Sequence, residues 1–107
     1  MGIRYIMTDE NYQNELDLAG SKLVIVTFFA DWSNDYKAFD PTLLRLSAEC
    51  TDVYFIGCDT DNAKEFVIDL NIDALPTFWF VKDRKVVEKI EGVNEELFME
   101  YLEKYRN

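Results

Sequence analysis

Two side chains that could do chemistry, Ser33 and Tyr36, stand three residues apart where an apolar run gives way to a helical segment. Two cysteines at this spacing would place a thiolate at a helix N-terminus, where the helix dipole lowers the thiol pKa. A serine hydroxyl and a tyrosine ring cannot form or exchange a disulfide. Lys37 is a poor base for Ser33, because a catalytic lysine needs burial to lower its pKa. The sequence therefore favours helix capping by Ser33 and packing or contact by Tyr36.

The two thiols of the chain are Cys50 and Cys58, which stand eight residues apart. This is neither a redox spacing nor a zinc-binding spacing. Cys58 falls on an expected core strand, where a cysteine commonly acts as a small buried hydrophobe. Cys50 falls near the end of an expected helix, which leaves a redox-sensitive surface thiol open. A disulfide between the two is not expected.

Other catalytic and metal sites are largely excluded by composition. The chain has no histidine, which removes Ser-His-Asp and Cys-His arrangements and histidine-containing zinc sites. Residues 59–62 begin like a calcium loop, but Ala63 fails as the third ligand position and Lys64 replaces the turn glycine. We therefore expect no metal and no cofactor.

The composition is that of one small acidic domain. The 107 residues are 49% hydrophobic and carry a formal charge of -10. Such a charge repels nucleic acid and anionic membranes and favours a basic partner. No run approaches the length of a membrane span, and the first six residues lack the apolar core of a signal peptide. We expect a single domain over residues 1–107 and a cytoplasmic location.

Strand and helix patterns alternate along the chain, which is typical of an α/β sheet domain. Expected strands cover Arg4–Ile6, Leu23–Phe29, Val53–Asp59, Thr77–Val81 and Lys85–Ile90. Four helices are expected, and their N-terminal signals are Thr8, Ser33, the pair Asn62 and Glu65, and Asn94. Asp40-Pro41 taken alone would begin a helix at that point.

Five stretches of the chain carry a family resemblance: Ala19–Val26, Phe28–Trp32, Asp59–Asp61, Ala74–Phe78 and Gly92–Asn94. With the order of elements, they resemble thioredoxins from end to end, especially the short eukaryotic cytosolic type. The resemblance implies the thioredoxin fold, a central mixed sheet of five strands flanked by four helices. It also implies one long helix kinked at Pro41, and a cis-proline at Pro76.

The departures from the family fall in its redox machinery. The chain reads Trp-Ser-Asn-Asp-Tyr-Lys where the family has Trp-Cys-Gly-Pro-Cys-Lys, so Ser33, Asn34, Asp35 and Tyr36 replace the dithiol segment. Thr27 stands where the family has a buried aspartate that moves protons for the inner cysteine. Asp35 would raise the pKa of any neighbouring thiol. These changes predict a protein that lacks disulfide reductase activity.

The family's peptide groove, by contrast, has counterparts throughout this chain. The resemblance places Trp32, Leu75, Pro76, Gly92 and Val93 along a shallow apolar groove beside the cis-proline. An apolar groove with an open backbone edge can bind an extended peptide by strand addition. The leading hypothesis is a redox-inactive module that binds a protein or peptide partner.

Two alternatives remain open at this point. One is an oxidoreductase or redox sensor that works through Cys50 or Cys58 by mixed disulfides or glutathionylation. The other is a homodimeric regulatory subunit that associates through the same degenerate active-site face, since an exposed apolar patch often marks an interface.

Overall fold

Five strands and four helices alternate along the chain in the computed structural model, which describes residues 2–106. The strands are β1 (Ile3–Tyr5), β2 (Leu23–Phe29), β3 (Val53–Asp59), β4 (Thr77–Lys82) and β5 (Lys85–Glu91). The helices are α1 (Asp9–Ala19), α2 (Asn34–Glu49), α3 (Lys64–Asp69) and α4 (Glu95–Tyr105). The α/β fold expected from the sequence, a five-stranded sheet with four helices, is confirmed.

The strands form one mixed sheet in the order β1-β3-β2-β4-β5. Strands β1 and β2 both run parallel to β3, while β4 runs antiparallel to β2 and to β5. Four strands therefore end, and β4 begins, at the same edge, which we call the carboxyl edge of the sheet. The segments that follow β1, β2, β3 and β5 meet there with the segment that precedes β4.

Strand β2 forms the centre of the sheet and is buried along its whole length. Since successive side chains point to opposite faces, Ile25 and Phe29 join the core under α2 and α4. Val24, Val26 and Phe28 join a second core with α1 and α3. Burial on both faces explains why this strand is an almost continuous apolar run.

Side-chain caps begin three of the helices as the sequence predicts. The Thr8 and Asn94 side chains accept hydrogen bonds of 3.0 Å from backbone N–H groups in the first turns of α1 and α4. Gly20 ends α1 with a φ of 62°, a conformation that glycine adopts without strain. Helix α2 is continuous through Pro41, so a new helix does not begin at Asp40.

The predicted start of α3 is wrong. Ala63 occupies the N-cap position and makes no side-chain capping bond. The Asn62 amide instead donates to the Asp59 carboxylate at 3.3 Å, so it stabilises the loop before the helix. Smaller differences concern strand ends, since β1 lies one residue earlier than expected and β4 and β5 each extend one residue further.

The hairpin between β4 and β5 turns through two residues, Asp83 and Arg84, with φ values of 51° and 66°. The Arg84 guanidinium holds this turn against α1 by hydrogen bonds to Asp17, at 2.7 Å, and to Gln13. None of the helices formed by residues 2–106 has the length and apolar character needed to cross a membrane.

Candidate functional site

The carboxyl edge brings together four of the five predicted groove residues on its β4–β5 side. The peptide bond between Leu75 and Pro76 is cis. The Gly92 N–H donates a hydrogen bond of 2.7 Å to the Pro76 carbonyl, which fixes Gly92 and its neighbour Val93 beside the proline. Gly92 has a φ of 82°, in the region that favours glycine. The backbone thus determines the position of this part of the edge.

Trp32 lies at the same edge, three residues beyond the end of β2. Its side chain is 66% exposed. The indole Nε1–H donates to the Asp61 carboxylate at 3.1 Å, which orients the ring at the surface. Sequence reasoning did not find Asp61 as the partner, because 29 residues separate the two and no local spacing links them.

Ser33 caps helix α2, as its residue type and position predict. The side chain is 8% exposed, and its hydroxyl oxygen accepts the Tyr36 N–H at 3.4 Å. Asn34 and Asp35 are exposed in the first helical turn, where a carboxylate is stabilised by the helix dipole. In this arrangement the Ser33 hydroxyl serves the helix end.

Tyr36 is a packing residue. Its ring stacks on Phe29 with centroids 4.5 Å apart, and its hydroxyl donates to the Asp40 carboxylate at 2.9 Å. Burial raises the pKa of Tyr36 above its usual value, and the Asp40 hydrogen bond raises it further. The phenol therefore keeps its proton at neutral pH and donates it in the hydrogen bond to Asp40.

Thr27 brings no charge into the core behind this helix end. It is buried on β2, in register with Gly57 on β3 and Phe78 on β4. It shares a face of β2 with Ile25 and Phe29. A neutral residue here avoids the cost of a desolvated carboxylate.

Cys50 and Cys58 are both free and both buried, so Cys50 is not the surface thiol that its position near a helix end allowed. Cys50 caps the C-terminus of α2 and lies in the core under α2 and α4, whereas Cys58 lies in the core on the other face of the sheet. Burial raises the pKa of the Cys58 thiol to about 11, and the Asp59 charge contributes. A thiol with so high a pKa has little thiolate at neutral pH.

A second feature of the carboxyl edge was not found from the sequence. On the β1–β3 side lies a cleft of about 520 Å³. The residues that line it are Tyr5, Ile6, Met7, Phe29, Asp31, Tyr36, Lys37, Asp40, Leu44, Asp59 and Asn62. These residues come from several distant segments of the chain, so no local spacing in the sequence indicated the cleft.

The comparisons with known proteins agree with this architecture. A family model described as Thioredoxin matches residues 4–104. This chain belongs to the thioredoxin family. Its relatives include thioredoxin from Ophiophagus hannah, 34% identical over 94 residues, which are 88% of this chain and 90% of that protein. Human thioredoxin is 32% identical over the same shares of the two chains.

A larger relative contains a matching segment. The peptide-N(4)-(N-acetyl-beta-glucosaminyl)asparagine amidase of Caenorhabditis briggsae is 34% identical over 85 residues, which are 79% of this chain and 14% of that protein. A segment similar to this chain therefore also occurs within a much longer protein.

Solved thioredoxins share the whole fold. The X-ray structure of Fasciola hepatica thioredoxin has a TM-score of 0.90 and 28% identity, and covers 95% of this chain and 98% of its own. A thioredoxin f2 chain in complex with ferredoxin: thioredoxin reductase has a TM-score of 0.86 and 25% identity, over 96% and 94% of the two chains. Both structures match this chain over nearly its whole length.

Proposed function

We propose that this protein binds an extended segment of a partner protein in the groove formed by Trp32, Leu75, Pro76, Gly92 and Val93, and that it does so without dithiol chemistry. The observation that carries the proposal is a contrast at one sheet edge. The two positions of the family dithiol hold Ser33 and Tyr36, which are engaged in capping and packing. Beside them, the Leu75–Pro76 peptide bond is cis and the Pro76 carbonyl accepts the Gly92 N–H.

The backbone at the groove supports strand addition. Among residues 2–106, neither the N–H nor the carbonyl of Leu75 has a backbone hydrogen-bond partner. The carbonyls of the two neighbouring residues are held, because the Pro76 carbonyl accepts from the Gly92 N–H and the Ala74 carbonyl accepts from the Thr77 hydroxyl. A rigid segment with a free donor and acceptor can pair with an extended peptide at little cost in backbone entropy.

The side chains at the groove supply apolar contact area. The Trp32 ring is mostly exposed and held by Asp61, and Val93 is also exposed. A tryptophan at a protein interface often contributes most of the binding energy of its patch. Such contacts need neither a thiol nor a metal.

Binding is tested with peptides selected on the immobilised protein from a random heptapeptide library. A selected peptide is then titrated against wild type, Trp32→Ala and, as a matched control, Ile68→Ala, which removes another exposed apolar side chain on α3. We expect Trp32→Ala to weaken binding by roughly tenfold or more and Ile68→Ala to leave it unchanged. Equal affinity for wild type and Trp32→Ala would remove the groove assignment.

The absence of dithiol chemistry is tested by insulin reduction, with dithiothreitol and separately with thioredoxin reductase. We expect no rate above background for wild type, Cys50→Ser or Cys58→Ser. Activity that either serine substitution abolishes would overturn the redox-inactive assignment in favour of a thiol mechanism. Sedimentation over a concentration series separates a monomer from a homodimer that covers the groove with a second copy.

A further inference from the structure

The cleft on the β1–β3 side of the carboxyl edge is separate from the groove proposed above. None of the five groove residues lines the cleft, and four of the five come from segments next to β4 and β5, across β2 in the strand order. Its volume, about 520 Å³, falls within the range of small-ligand pockets in proteins. It is large enough for one long side chain and part of its neighbour.

One wall of the cleft is aromatic. Tyr5 is 61% exposed and packs edge-on against Phe29, with centroids 6.2 Å apart. The Tyr5 ring lies over Gly57, where a Cβ atom would come within 2.7 Å of the Tyr5 Cε1 atom. Glycine at this position therefore leaves the room that the ring occupies. The wall continues into the stacked pair of Phe29 and Tyr36.

The charged groups of the cleft are mainly negative. Asp31, Asp40 and Asp59 line it, against a single cation, Lys37. None of the salt bridges formed among residues 2–106 includes any of these four side chains. Partial burial raises the pKa of Tyr5, and the negative charges of Asp40 and Asp31 raise it further. The carboxylates of Asp40 and Asp31 are therefore near enough to Tyr5 to affect the ionisation of its hydroxyl.

Two exposed apolar side chains complete the rim. Met7 is 55% exposed in the segment after β1, and Leu44 is 49% exposed on the outer side of α2. Exposed large apolar residues beside a polar cleft are typical of an interaction site. They extend the contact area beyond the charged centre.

We propose that this cleft binds an arginine side chain of a protein partner, with the aliphatic neighbour of that arginine lying on Met7 and Leu44. The planar guanidinium stacks on the Tyr5 ring and donates hydrogen bonds to the carboxylates of Asp31, Asp40 and Asp59. The inference is independent of peptide binding beside Pro76, since it uses none of the five groove residues.

Charge and shape together favour arginine over other occupants. A guanidinium has five donors in a plane, so it can reach several carboxylates while stacking on an aromatic face. A lysine ammonium is a strongly hydrated point charge and gains less from the ring. An acidic or phosphorylated segment would meet the cleft carboxylates and the overall charge of -10 unfavourably.

The test is a nuclear magnetic resonance titration of the ¹⁵N-labelled protein with the capped peptide acetyl-Gly-Leu-Arg-Leu-Gly-amide. The matched probe replaces arginine by citrulline, which keeps the shape and removes the charge. We expect saturable shifts at Tyr5, Met7 and Asp40 with the arginine peptide and at least fivefold weaker binding of the citrulline peptide. The arginine interaction should also weaken as salt is raised, because exposed ion pairs are screened.

Four variants locate the site. Asp31→Asn and Asp40→Asn should each weaken binding by about twofold to fivefold, the range for partly exposed ion pairs. Lys37→Gln should strengthen it, since a like charge is removed. Glu100→Gln, an equal charge change on exposed α4, is the control and should have no effect.

A further variant addresses the aromatic wall. Gly57→Ala should displace the Tyr5 ring and weaken arginine binding about as much as Tyr5→Leu does. Thermal unfolding shows whether each variant remains folded. If Gly57→Ala does not fold, the proposal is tested by Asp40→Asn, whose amide oxygen can still accept the Tyr36 hydroxyl.

Several results would overturn the proposal. Equal binding of the arginine and citrulline peptides would remove the charge recognition. Shifts confined to Trp32 and Gly92 would assign the peptide to the groove. Shifts at the cleft that appear on raising the protein concentration without peptide would identify a second copy of the chain as the occupant.

Discussion

On the β4 side of β2 the carboxyl edge is shaped mainly by the backbone, whereas on the β1–β3 side it is shaped by side chains. The groove depends on a glycine with positive φ, Gly92, and on its backbone hydrogen bond to Pro76. The cleft depends on the tyrosine rings of Tyr5 and Tyr36 and on several carboxylates.

The two constructions respond differently to sequence change. Backbone geometry at the groove is compatible with many side chains nearby, so it can persist while the adjacent helix start loses its thiols. Chemistry at that helix start depends on the residue types at positions 33 and 36, and Ser33 and Tyr36 convert it into a cap and a packing contact. The proposed absence of dithiol chemistry there would leave the backbone geometry of the proposed groove unchanged.

The largest expected effect comes from returning an acid to the buried position behind the helix start. Thr27→Asp should lower the free energy of unfolding at pH 7 by about 3–5 kcal/mol, because the carboxylate would be buried without a positive partner. Urea denaturation at pH 7 measures the loss.

Thr27→Asn is the control for that variant, since it has the shape of aspartate without the charge. Burial would raise the pKa of the new aspartate, so the stability gap between the two variants should shrink as the pH falls and the acid is protonated. Equal stability at pH 7 would contradict the account of Thr27.

Tyr36 and Trp32 should separate stability from binding. Tyr36→Ala removes a buried ring stacked on Phe29 and should cost about 3 kcal/mol, while Tyr36→Phe loses only the Asp40 hydrogen bond, about 1 kcal/mol. Trp32→Ala, at an exposed position, should change stability by less than about 1 kcal/mol. Urea denaturation of the three variants tests this order, and a large loss for Trp32→Ala would make Trp32 structural.

The buried thiol Cys58 lies in neither region. We expect its ionisation to affect only the pH dependence of the free energy of unfolding. Its pKa is raised from 9.0 to about 11 in the folded protein. Between pH 9 and about 11 the folded state keeps a thiol proton that the unfolded chain loses. The free energy of unfolding is therefore unaffected by this thiol below pH 9 and decreases as the pH rises to about 11. The loss is on the order of 2 kcal/mol.

The check is a set of urea denaturation curves at pH 8, 9 and 10 under reducing conditions. The stability gap between wild type and Cys58→Ala should narrow as the pH rises through this range. A constant gap would mean that the thiol ionises alike in both states.

The smallest effect is expected where a side chain orients the groove tryptophan. Asp61→Ala removes the carboxylate that accepts the Trp32 indole N–H. We expect a stability change of less than about 0.5 kcal/mol, within the usual range for surface substitutions, and a loss of groove affinity of a few fold. Titration with the selected peptide measures it, and a loss as large as that of Trp32→Ala would assign Asp61 a direct contact.

How much the sequence could predict follows from the range of each interaction. The bounds of β2 and β3 were predicted correctly because burial on both faces leaves a continuous apolar run. Ser33 and Thr8 were identified as caps because capping is a contact between near neighbours. Asn62 was misassigned because its side chain could either cap the helix or bond to the preceding loop. In the structure its amide nitrogen donates a hydrogen bond to Asp59 instead.

Long-range contacts gave no comparable signal. The contact of Trp32 with Asp61 and the cleft around Tyr5 join segments that the fold brings together and no spacing relates. The groove could be placed because the family resemblance supplied its geometry, which composition and periodicity alone do not contain.

Because β1 is short, we expect the cleft side of the carboxyl edge to open locally more often than the groove side. Strand β1 has three residues and pairs on one side only, with β3, so it is held by few backbone hydrogen bonds. Short edge elements open locally at a smaller free energy than the whole domain. We expect the amide hydrogens of β1 to exchange with solvent faster than those of β4. The cleft would then open transiently while the groove stays folded.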